Sequence, residues 1–89
     1  MKIKSGFLLK EIAGDFVVVP VDSNFVDFGA MMTLNESGAF LWNCLLSDTT
    51  VDQLAEKLAG EYEVDIVTAR EDISGFVEKL SQKGLLDRE

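Results

Sequence analysis

Histidine is absent from this chain, and cysteine, proline, tryptophan and tyrosine each occur once. Without histidine, the commonest general base and the commonest metal ligand are both missing. A single cysteine, Cys44, can close no internal disulfide and build no multi-cysteine zinc site. It lies in Leu41-Trp42-Asn43-Cys44-Leu45-Leu46 with no lysine beside it to lower its pKa, so it reads as a small buried thiol rather than a nucleophile. No Gly-rich phosphate loop occurs, and no apolar run approaches the roughly 18 residues that cross a bilayer. The basic start Met1-Lys2-Ile3-Lys4-Ser5-Gly6 is followed by an apolar stretch broken at Lys10, Glu11 and Asp15, which is not a signal peptide. A cytoplasmic location is expected.

Positive charge is scarce too. Eight Lys and Arg stand against 16 Asp and Glu, for a formal net charge of −8. The half from residue 35 to 89 holds only Lys57, Arg70, Lys79, Lys83 and Arg88 against twelve acidic residues. Nucleic-acid binding draws its affinity largely from phosphate neutralisation, so this surface speaks against it. Carboxylate pairs such as Glu61/Glu63 and Glu71/Asp72 read as solvated helix faces and loop ends. The chain is expected not to be an enzyme and to need no cofactor or metal.

What is present is a foldable amount of apolar residue: 47% of 89 positions, enough for one modest core and hence one domain over 1–89. Phe7–Ile12 and the β-branched run Phe16–Val21, separated by Gly14-Asp15, predict a hairpin. Pro20 cannot donate to a ladder and belongs at a strand end or edge. A polar loop, Asp22-Ser23-Asn24, leads through Phe25–Phe28 and Gly29 to a third, short edge strand, Ala30 to Leu34.

Three helices should follow. Asn35 is a good N-cap, with Glu36 in the first turn. Phe40, Leu41, Trp42, Leu45 and Leu46 suggest a helix buried on more than one side. Trp42 reads as an aromatic anchor against the sheet. Thr50 and Gln53 form a capping box ahead of Val51, Leu54, Ala55, Leu58 and Ala59, with Gly60 near the stop. Asp65 caps a last helix whose apolar stripe is Ile66, Ala69, Ile73, Phe76, Val77 and Leu80, ended by Gly84, with Leu85-Leu86 folding back. Gly75 interrupts that stripe, either for a close backbone approach or as a tolerated surface glycine. The result is an α+β fold of winged helix-turn-helix type, a three-stranded antiparallel sheet followed by three α-helices.

Three segments resemble a known family. Leu34-Asn35-Glu36-Ser37-Gly38-Ala39-Phe40-Leu41-Trp42 is similar to an "LNxxGxxIW" pattern, and Thr50-Val51-Asp52-Gln53-Leu54-Ala55 to "TVEELA". Asp72-Ile73 through Phe76, Leu80 and Gly84-Leu85-Leu86 resemble "DvxxFlxxLxxxGLL". These are patterns of the PqqD-like proteins, named for the synthesis of the coenzyme pyrroloquinoline quinone (PQQ). They are the prototype of recognition elements for ribosomally made, post-translationally modified peptides. The resemblance spans roughly residues 5–87.

That resemblance implies a non-catalytic peptide chaperone. It would capture the leader of a precursor peptide by β-strand addition and present it to a modifying enzyme, often a radical S-adenosylmethionine (radical SAM) enzyme. The guest would lie between the third strand and the last helix. Candidate binding residues are then Ala30, Met31, Met32, Thr33 and Leu34 on the strand, where Met31 and Met32 must face opposite ways. On the helix one flank offers Asp72, Phe76, Lys79 and Lys83, and the other offers Val67, Arg70, Ser74 and Ser81. The first is preferred for its aromatic floor and two cations. Nothing in the sequence points to the PQQ cofactor itself. A winged-helix transcription regulator and an accessory enzyme subunit without a peptide ligand are the alternatives. An exposed edge strand would also permit a strand-exchanged homodimer.

Overall fold

The computed structural model describes residues 1–21 and 32–87. Over these the chain forms, in order, β1 (Lys2–Ile3), β2 (Phe7–Ile12), β3 (Asp15–Pro20), β4 (Met32–Leu34), α1 (Glu36–Cys44), α2 (Val51–Tyr62), α3 (Ile66–Gln82) and β5 (Leu86–Asp87). The expected order of a hairpin, a third strand and three helices is present. Phe25–Phe28, Ala30 and Met31 lie outside the described residues.

The hairpin turns on two residues. Ala13 and Gly14 both take positive φ, 53° and 87°, between the paired Ile12 and Asp15. That is the left-handed pair a tight hairpin needs to match strand twist. Pro20 ends β3, opposite Phe7, where its missing N–H interrupts no ladder interior. β4 pairs with β3 through Val18↔Met32, Val17↔Thr33 and Phe16↔Leu34, which makes the sheet β2-β3-β4 antiparallel with β4 at an edge. Strand alternation then sorts the side chains: Val18, Met32 and Leu34 are buried, while Thr33 points outward.

The tail folds back as expected, but onto a partner the sequence had not advertised. Leu86 pairs with Ile3 and Asp87 with Lys2. Ile3 N–H also donates to the Leu45 carbonyl and Lys4 N–H to the Leu85 carbonyl, both at 2.9 Å. Two residues form too short a strand to stand out as a period-two pattern, so β1 read only as a basic start.

Caps set the helix starts. Asn35 Oδ1 accepts from Gly38 N–H at 2.8 Å, and Thr50 and Gln53 exchange both bonds of a capping box. Asp65 accepts from Val67 and Thr68 N–H. At the far end of α3, Leu85 N–H reaches the Leu80 carbonyl and Gly84 N–H reaches that of Ser81, with Gly84 at φ 73°. This is the Schellman arrangement, for which glycine is the natural residue. The stop of α2 differs from expectation. Gly60 lies inside the helix, and Glu63 takes the left-handed position instead, at φ 53° and ψ 40°.

One core joins these parts. Trp42, Leu45, Leu54, Ile73 and Leu80 are the largest fully buried side chains, each stabilising by about 1.5–3 kcal/mol through burial. Trp42 is thus the anchor expected of it. Two expected core residues are not. Leu46 lies beyond the end of α1 and is 58% exposed, and Ile66 opens α3 before the stripe meets a neighbour and is 39% exposed. Cys44 is half-buried rather than buried.

Candidate functional site: a two-part groove beside strand β4

Because β4 pairs with β3 on one side only, its other side holds no strand among the described residues. An edge of this kind leaves backbone N–H and C=O groups available for pairing. Facing it is α3, and the space between forms a hollow of about 410 Å³. Its lining is Met32, Thr33, Leu34 and Asn35 from the strand and its end, Gly38 from α1, and Gly75, Phe76 and Lys79 from α3. A Cβ added at Gly75 would meet nothing within 4 Å and would face the open groove. Of its two sequence readings, the surface one is right.

A second hollow of about 490 Å³ continues from the first, sharing Asn35, Gly38 and Phe76. Leu41, Leu58, Tyr62 and Val64 supply apolar walls, and Ser37 and Asp72 supply polar ones. Phe40 meets the Tyr62 ring edge-on, with centroids 5.7 Å apart at 85°, which holds that wall in place. The two hollows carry opposite charge. Among the described residues, Lys79 is the one charged group lining the first, and Asp72 the one lining the second. Burial pushes the Tyr62 hydroxyl above its ordinary pKa of 10.0, and the nearby carboxylates of Glu36 and Glu61 push it further.

The candidate residues are brought together unevenly. Met32, Thr33, Leu34, Phe76 and Lys79 share the first hollow, and Asp72 stands in the second. Met32 contributes to the groove while its side chain is packed in the core. Ala30 and Met31 lie outside the described residues. Lys83 is not on the groove wall; it caps the end of α3, one turn past Lys79, and is exposed. Most of the other flank faces α2 instead, while Val67 is 61% exposed. Arg70 pairs with Asp52 at 3.2 Å, and Ser74 and Ser81 line a separate recess with Val51. Sequence reasoning did not place Asn35, Ser37, Gly38, Leu41, Leu58, Tyr62, Val64 or Gly75 on the groove. Gly38, three residues after an N-cap inside a helix, was the available signal.

Among the described residues no cluster of Asp, Glu and Cys could hold a metal ion. No described helix is long and apolar enough to cross a membrane. What the geometry provides is a strand edge, an opposing helix and two side-chain hollows between them. An extended peptide fits those parts.

Comparisons with known proteins follow the same line. A family model described as coenzyme PQQ synthesis protein D (PqqD) matches residues 15–86. Among curated proteins none matches significantly. Two solved structures are similar in fold. "TbiB1 in Complex with the TbiA(beta) Leader Peptide" aligns over 100% of this chain and 98% of its own, with 24% identity and a TM-score of 0.78. "Lasso peptide synthetase B1 complexed with the leader peptide" aligns over 94% and 93%, with 24% identity and a TM-score of 0.73.

Proposed function

The chain belongs to the PqqD family, and from that premise we propose that residues 1–89 form a peptide-recognition domain that captures the leader segment of a ribosomally made precursor. The observation that carries this reading is the edge of β4, which no strand covers among the described residues, facing α3 across a groove lined by Met32–Asn35, Gly38, Gly75, Phe76 and Lys79. A guest strand added there would gain affinity from main-chain hydrogen bonds and selectivity from alternate side chains entering the hollows. Both structural neighbours are complexes with leader peptides, which supports the reading.

In this role the protein presents its guest to a modifying enzyme and performs no chemistry itself. A radical S-adenosylmethionine enzyme suits that partner. The absence of histidine and the lone, half-buried Cys44 agree with a binding role. The test is titration with the leader of any short precursor found encoded beside this protein, followed by backbone amide shifts. Shifts should concentrate at Met32–Leu34 and along the Asp72–Lys79 face of α3. Shifts that avoid both would sink the strand-addition model. Salt-sensitive binding to duplex DNA would instead support a winged-helix regulator.

A further inference from the structure

The two hollows differ in a way that bears on which peptides are accepted. Beside β4 the charged group is an ammonium, Lys79. Past the end of β4 it is a carboxylate, Asp72, set at the margin of a hollow walled by Leu41, Leu58, Tyr62 and Phe76. Resting on the leader-capture reading above, we propose that the Asp72 hollow is a specificity pocket for a basic residue, Lys or Arg, of the bound peptide.

The lining and surroundings of this hollow carry the proposal. The hollow shares Asn35, Gly38 and Phe76 with the one beside β4, so a guest strand that runs on past Leu34 comes next to it. Its volume of about 490 Å³ lies within the range of small-ligand sites and easily admits one long side chain. Its chemistry matches a side chain that is apolar along its stem and cationic at its tip: aliphatic and aromatic walls with a single carboxylate at their margin. Two of those walls are the aromatic rings Tyr62 and Phe76. The surroundings are acidic as well, since Glu36 and Glu61 act electrostatically on Tyr62. An acidic guest residue would meet repulsion at this point, and an apolar one would gain nothing from Asp72.

The test uses the intact protein and a random peptide library displayed between fixed flanking sequences, selected in parallel on wild type and on Asp72→Lys. Asp72 is exposed, so its replacement should leave the fold intact. Wild type should enrich Lys or Arg at one position of its binders, and Asp72→Lys should enrich Asp or Glu at that position. A binder chosen on wild type should lose about tenfold in affinity on Asp72→Lys and less on Asp72→Asn, with partial recovery when its basic residue is exchanged for Glu. Binders that shift the Met32–Leu34 amides but show no basic preference, or the same preference on both proteins, overturn this inference and leave leader capture standing. An absence of any binder that shifts those amides overturns both.

Discussion

Gly38 of α1 and Phe76 of α3 meet where the two hollows join: a Cβ added to Gly38 would lie 3.5 Å from Phe76 Cε1. The same Cβ would stand 3.0 Å from Asn35 Oδ1 and 3.3 Å from Leu34 Cβ. A hydrogen atom at this point is therefore what keeps the cap, the end of β4 and the aromatic floor in their places.

Gly38→Ala should accordingly behave unlike an ordinary helix Gly→Ala change. Helix propensity alone favours Ala by about 0.8–1 kcal/mol. Crowding against the cap oxygen and Leu34 opposes it, at a typical cost of about 1–3 kcal/mol. Net destabilisation of about 1 kcal/mol is expected in urea melts. Gly60→Ala and Gly75→Ala meet nothing within 4 Å and should each stabilise by about 0.5–1 kcal/mol. Equal shifts at all three positions would show that the approach at Gly38 is not tight.

The caps give a second set of expectations. Asn35 Oδ1 accepts from Gly38 N–H and also from Ser37 Oγ, at 2.8 and 3.2 Å. Thr50 Oγ1 accepts from Gln53 N–H, while Gln53 Oε1 accepts from Thr50 N–H and Thr49 Oγ1. Asn35→Ala and Thr50→Ala should each cost about 1 kcal/mol by denaturant melting. Only Asn35→Ala should also weaken peptide binding, because Asn35 lines both hollows.

Among the described residues, two other than glycine hold left-handed backbone, Ala13 and Glu63, each at φ 53°. Ala13 precedes Gly14 in the two-residue turn, where Asn-Gly is the favoured pair. Ala13→Asn and Glu63→Gly should each raise stability by about 0.5–1 kcal/mol. Neither residue lines the groove hollows, so peptide affinity should stay unchanged. Calorimetric midpoints that fall for both would contradict the assigned backbone.

Legibility in the sequence followed signal strength. The capping box at Thr50, the Asp65 cap and the Gly84 stop are local codes in which one side chain meets one backbone group, and each predicted its helix boundary. The stop of α2 misled because Gly60 suits a helix end chemically, yet the chain places its reversal three residues later, at Glu63. β1 was hidden because two residues carry no periodicity and its partner lies at the opposite end of the sequence. The β4–α3 groove followed from the family resemblance, with Phe76 and Lys79 on its wall. The second hollow did not, because Leu41, Leu58 and Tyr62 come from two separate helices and converge only through tertiary packing.

Lys79 and Lys83 lie one helical turn apart but should differ in function. Lys79 lines the groove beside β4, whereas Lys83 occupies the C-cap. Lys79→Glu should change leader affinity severalfold and alter its salt dependence, since an exposed charge contact is screened over about 8–10 Å at ordinary ionic strength. Lys83→Glu should leave affinity within about twofold. It should lower stability by about 0.3–1 kcal/mol, because a carboxylate opposes the negative end of the helix dipole. Equal effects of the two on binding would extend the site past the groove wall.

Tyr62 offers a direct report on the acidic hollow. Its pKa is raised above 10.0, first by burial and then by the negative charge of Glu36 and Glu61. As the only tyrosine, it can be titrated alone by tyrosinate absorbance. The midpoint should lie above 10.0 in the folded protein and return to that value in denaturant. Glu36→Gln should move it partway down, by removing the larger of the two electrostatic causes. For stability the sign is fixed. A raised folded pKa means the neutral phenol is favoured in the fold, so its contribution is fully present below the unfolded pKa and fades as pH rises through the folded one. A midpoint at or below 10.0 in the folded protein, or one that Glu36→Gln leaves unmoved, would contradict this setting of the ring.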